Sequence, residues 1–128
     1  MDENNNKKAV VFFGTVTANS QITLISPLIT DPYEVVSIDC KFALNCAGTL
    51  KLRFFLSPDD STPTDEKPTG FNILEEYGQV DYLAGDDETK HLSVSATRRE
   101  RNSFLKVYGE NNDGFDHTID AIITIKII

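Results

Sequence analysis

The chain has 128 residues, 40% of them hydrophobic and 25% charged, with a net charge of −8 at pH 7. That length predicts a single domain with a core of its own, and the balance is that of a folded chain rather than a disordered one. The negative charge argues against a nucleic-acid partner, which needs clustered Lys and Arg, and no apolar run nears the roughly 20 residues of a membrane span, so no membrane partner is expected.

Residues 1–8 are Asp, Glu, Asn and Lys after the initial Met and read as a flexible polar arm. They lack the apolar stretch of a signal peptide, which predicts the cytoplasm or a virion as location and residues 9–128 as one β-sandwich domain. Ala9 to Thr17 is β-branched and aromatic, with Gly14 marking a bulge or a close approach. Ile22 to Ile29 contains Pro27, which cannot donate to a ladder, so this strand is expected at an edge or broken there.

Val36 to Leu44 alternates cleanly: Val36, Ile38, Cys40, Phe42 and Leu44 are expected on a dry face. Leu50, Leu52, Phe54 and Leu56 alternate likewise, and the short connection through Ala47 and Gly48 predicts a hairpin between the two strands. Cys40 and Cys46 would lie roughly 20 Å apart along one strand, beyond disulfide reach of about 7 Å, and read as buried free thiols. Ser57 to Gly70 (SPDDSTPTDEKPTG) has three prolines and no large apolar residue, and reads as a long exposed loop.

Phe71 to Tyr82 fits one helical turn around Leu74 to Tyr77 or two short strands. His91 to Thr97 is a strand with Leu92, Val94 and Ala96 inward, and Ser103 to Tyr108 is another. Glu110 to Gly114 is the strongest turn, built of residues that accept positive φ. Thr118 to Ile128 closes with Ile119, Ala121, Ile123, Ile125 and Ile127 on one face. So apolar a strand must be covered, and a central place in a sheet beside the first strand would cover it. Seven to nine short strands without an amphipathic helix predict an all-β fold, an antiparallel β-sandwich of jelly-roll type; a closed barrel is the competing architecture.

No motif dictates a chemistry. GxSxG, P-loop and dinucleotide fingerprints are absent, and His91 and His117 each begin a strand among polar residues, as surface histidines do. A hydrolase would need a cleft bringing one of them to a Ser or Asp. No metal site or cofactor is expected; calcium is the one ion that the acidic turns would suit. Tyr77 and Tyr82, with Asp86 and Asp87, are the candidates for a glycan-binding platform. Phe55, Ile122 and Ile128 supply apolar surface, and Arg98, Arg99 and Arg101 the one basic patch, which makes these six the interface candidates.

The succession EVVSIDCKFALNCAGTLKLRFFLSPDD, the acidic proline-rich loop, and then HLSVSATRRERNSFLKVYGENNDGFDHTIDAIITIKII, resembles small single-jelly-roll modules over Glu34 to Ile128. Such modules occur among phage and virus structural proteins and among carbohydrate-binding domains. The resemblance implies a fold and carries no functional residue. Two functions follow as expectations: a non-enzymatic structural or assembly module, homo-oligomeric or joined to other particle subunits, and alternatively a carbohydrate-binding module using the loop carboxylates and Tyr77 or Tyr82.

Overall fold

A computed structural model describes residues 7–76 and 81–128; Tyr77 and the arm residues 1–6 lie outside the described residues. Eight strands and one helical turn follow in order: β1 (Lys7–Val16), β2 (Ser20–Ile25), β3 (Tyr33–Phe42), β4 (Leu50–Ser57), β5 (Phe71–Asn72), α1 (Ile73–Glu76), β6 (Glu88–Arg98), β7 (Phe104–Asn111) and β8 (His117–Ile127). They form two four-stranded antiparallel sheets, ordered β1-β8-β3-β6 (sheet A) and β2-β7-β4-β5 (sheet B). The pairs β1:β8, β2:β7, β3:β6 and β4:β5 nest inside one another. One long hairpin rolled up in this way is a jelly roll. No described helix is long and apolar enough to cross a membrane.

The alternation seen in the sequence positions the core. Along β8, Ile119, Ala121, Ile123 and Ile125 are buried, and the strand lies between β1 and β3. Facing them from sheet B are Leu50, Leu52, Phe54, Leu105 and Val107. Both thiols, Cys40 and Cys46, are free and buried. β2 ends just before Ser26 and Pro27, at the edge of its sheet. Gly14 makes no bulge, since β1 stays in register with β8 throughout; a Cβ there would press on the Leu24 methyl groups.

Five expectations need correction. The dry face of β3 changes phase: Tyr33 and Val35 point inward, Val36 is an extra half-buried residue skipped by both neighbouring registers, and Ile38, Cys40 and Phe42 resume the inward set. That is a β-bulge. β3 stops at Phe42, so Leu44 is on the surface. β3 and β4 make no hairpin: residues 43–49 cross from sheet A to sheet B, through Asn45, Ala47 and Gly48 at positive φ. Leu92 and Val94 are only partly buried, because β6 is the outer strand of sheet A. The turn after β7 dispenses with positive φ, Asn111 Oδ1 accepting from Asp113 N–H instead. The stretch that fits a helical turn or short strands holds one of each, β5 and α1.

Gly70 leads into β5 at φ +129°, where a Cβ would collide with the Leu56 carbonyl oxygen. Side chains rarely adopt that conformation, and the obstacle is backbone, which cannot swing aside. Gly70→Ala is expected to cost about 1–3 kcal/mol. Gly114→Ala, with open space at its Cβ, is expected to leave thermal denaturation unchanged, and equal melting of the two variants would contradict this account.

Candidate functional site

Sheet A leaves one side of β1 without a neighbouring strand. Odd-numbered residues of β1 point away from the core, and Val11 and Phe13 are 64% and 70% exposed. Register places Val11 across from Ile122 and Phe13 across from Asp120 on β8. Two lysines, Lys7 and Lys8, open the strand. Past its other end, Asp116 accepts the Ala18 N–H at 2.9 Å. A groove of about 530 Å³ runs beside the first half of β1, with Val10, Pro27, Leu28, Ile29 and Ile127 in its walls.

Of the sequence-derived interface candidates, Ile122 joins this face as a half-buried residue, and Ile128 is exposed, its N–H donating to Pro32 O. Phe55 does not: at 5% exposure it is covered, because the chain after β4 folds over the outer face of sheet B. Arg98 is half-buried near Glu100, Arg99 is exposed, and Arg101 pairs with Asp31 at 3.2 Å. Val11 and Phe13 were legible in principle, since both faces of Ala9 to Thr17 are apolar.

The cover over sheet B is polar in sequence yet packed in space. Lys106 lies on the outer face of β7 with none of its side chain exposed, and its Nζ donates to Asp59 Oδ1 at 2.8 Å and to Ser61 Oγ at 3.4 Å. Thr23 donates to Pro63 O, and Pro68 is buried. Ser57 to Gly70 is therefore not simply an exposed loop. The Asp59 carboxyl also accepts from Thr69 Oγ1 and from the Ser61 hydroxyl and N–H. The Lys106 ammonium first, then these donors, hold Asp59 well below the usual carboxylate range.

Next to it, Arg53 is buried between Asp81 at 3.3 Å and Glu110 at 3.1 Å. Tyr82 packs against the same cation: Arg53 Cζ and Lys51 Nζ lie 5.4 and 5.0 Å from its ring centroid. Its ring is engaged with cations, a cation–π arrangement. Asp86 and Asp87 are exposed, Asp87 at positive φ with its N–H on Ala43 O. Among the described residues no three His, Cys, Asp or Glu side chains converge as a metal ion requires.

His117 departs from the sequence reading, being buried at the end of the sandwich where surface was expected. Its Nε2 lies 2.8 Å from Asp113 Oδ2, and its Nδ1 3.6 Å from Cys46 Sγ. Donation to Asp113, which depresses the Asp113 carboxyl, leaves Nδ1 to accept the thiol proton. Nucleophile, base and orienting carboxylate thus stand in catalytic order, beside an open pocket of about 570 Å³ that Leu44 and Phe115 flank. The sulfur itself belongs to the core: Cys46 is fully covered, and burial raises its pKa, keeping the thiol protonated. A reactive thiol has the opposite surroundings, so in this conformation the group ties the 43–49 crossing to β8. His91 sits on the open outer face of sheet A, 2.5 Å from Asp39.

No family model matches the chain, and no curated protein matches it. Among solved structures it is similar in fold to a chain of infectious bursal disease virus, Gt strain, at TM-score 0.53 and 7% identity over 96% of this chain and 32% of that one. This chain thus spans about a third of the length of the viral one. It is similar also to the clostridial cysteine protease Cwp84 after propeptide cleavage, at TM-score 0.51 and 8% identity over 97% of this chain and 41% of that one. The C-terminal CBM6 of LamC, a marine laminarinase from Zobellia galactanivorans, follows at TM-score 0.47 and 10% identity over 94% and 99%. The likeness is one of fold alone, that of a jelly roll.

Proposed function

We propose that this jelly roll is a structural or assembly module, a subunit of a phage, virus or other particle, that associates through the edge and outer face of sheet A. One observation carries the proposal: Val11 and Phe13 stand exposed on a ten-residue strand that lacks a neighbour on one side. Natural sheets blunt such edges with prolines, bulges or inward charges, and β1 has no proline and no break in register. The viral fold likeness supports a particle setting. The glycan reading draws less support, since Tyr82 is engaged with Lys51 and Arg53.

Sedimentation velocity over a wide concentration range tests the proposal. The parent chain is expected to sediment as an oligomer. Phe13→Lys, which removes an exposed ring without touching the core, is expected to sediment as a monomer with unchanged melting. A parent chain that stays monomeric at the highest concentration would refute the assembly function.

A further inference from the structure

Resting on that assembly role, we infer that the occupant of the β1 edge is β1 of a second copy, paired antiparallel about a two-fold axis through Phe12. The other edges are poorer templates. β2 is six residues long and is followed by Pro27, and β5 has two residues. The outer face of β6 is polar, with His91, Ser93, Ser95 and Thr97 exposed. β1 alone among the described edges is long, unbroken and apolar on its outer face.

The outer faces select the symmetry. In a level head-to-tail contact, β1 would meet the partner's β6. Register aligns Lys7 with Lys126, Lys126 with Glu34, and Glu34 with Thr97, so Lys7 would lie against the partner's Thr97. At the other end the exposed ring of Phe13 would lie near the partner's Thr89. The apolar outer face of β1, with Val11 and Phe13, would meet the polar outer face of β6.

A two-fold axis reverses this. With Phe12 on the axis, Val11 falls opposite the partner's Phe13, and Lys7 falls opposite the partner's Thr17. Just beyond Thr17 is Asp116, anchored on the Ala18 N–H. A strand with a basic start and an acidic carboxylate at its far end is complementary to itself when inverted. Residues directly opposite in an antiparallel pair sit about 4.5–5.5 Å apart at Cβ, so two Val11–Phe13 contacts would close over each other on one face. The two copies would share a continuous eight-stranded sheet, an isologous interface.

The test is a charge swap read by sedimentation. Lys7→Glu and Asp116→Lys are each expected to raise the dimer dissociation constant about three- to thirtyfold, because symmetry breaks two pairs at once. The double variant is expected to recover most of the loss. Thermal melting of each variant checks that the fold is retained. In a second readout, Val11→Cys combined with Phe13→Cys is expected to give a covalent dimer on mild oxidation, with the 11-to-13 linkage found by mass spectrometry. An oligomer indifferent to the swap and to Phe13→Lys, and without that linkage, would overturn β1 pairing while leaving assembly through another surface intact. A strictly monomeric parent would overturn the assembly role itself.

Discussion

Ile123→Ala is expected to destabilise the domain by about 2–5 kcal/mol, and Phe42→Ala by about 3–5 kcal/mol. Ile123 sits in the middle of β8, paired with Val10 on one side and Ile38 on the other, and has no exposed surface. Truncation there loses the transfer energy of the removed carbons and leaves a cavity that strands fixed on both flanks close poorly. Phe42 ends the inward row of β3 and is 1% exposed. Whole domains of this size are stable by only about 5–15 kcal/mol, so each variant should melt far below the parent in thermal or urea denaturation. Unchanged melting of both would contradict the core described above.

The second large effect concerns Lys106. Its ammonium has no exposed surface and depends on Asp59 for its counter-charge. Asp59→Asn leaves that cation buried with neutral partners only, whereas Lys106→Met removes the buried cation and leaves a half-exposed carboxylate that water can serve. Breaking a buried pair by deleting one partner is the costly route, and replacing the buried charge with an apolar side chain of similar shape is often tolerated. Asp59→Asn is therefore expected to melt well below Lys106→Met, and the opposite order would refute the pairing.

The same pair predicts a dependence on pH. An Asp in the unfolded chain titrates near pH 3.9, and Asp59 in the fold lies below that, chiefly through Lys106. The contribution of the pair is thus complete above about pH 4 and is lost as pH falls further toward the folded value. Acid unfolding of Asp59→Asn should lack this component of the parent's slope. Identical slopes would exclude the pair as its source.

Where each residue faces one environment, the sequence was a good guide. β8 alternates over its whole length, and Ile119, Ala121, Ile123 and Ile125 are inward as that pattern implies. Val36 misled because a bulge is invisible to a period-2 count: Val35 and Val36 are chemically alike, and only pairing with β6 and β8 decides which one is skipped. The β3–β4 connection misled because a short turn between alternating strands serves a hairpin or a crossing between sheets equally well. Phe55 does point away from the inter-sheet core, but the polar chain that covers it lies downstream and gives no apolar signal of its contact. The apolar outer face of β1 is legible in the sequence, but the exposure of Val11 and Phe13 is not, for a topological reason. Their surroundings depend on β1 being at an edge, and that depends on a partner strand more than a hundred positions away.

That distance bears on how the molecule is made. Sheet A takes its second strand from the far end of the pairing scheme, with Lys7 meeting Lys126 and Tyr33 meeting Ile127. While β1, β3 and β6 leave the ribosome, the strand that separates β1 from β3 does not yet exist, and sheet A can form only its β3–β6 pair. Synthesis must pass Ile127 before sheet A can close, so this half of the sandwich folds only once β8 has been made, and slowly, in the manner of topologies dominated by distant contacts. The nascent chain is then most exposed to clumping with its siblings until β8 has emerged. A chaperone that holds the early strands apart would be expected to raise the yield of soluble product more than any change made to β8 itself.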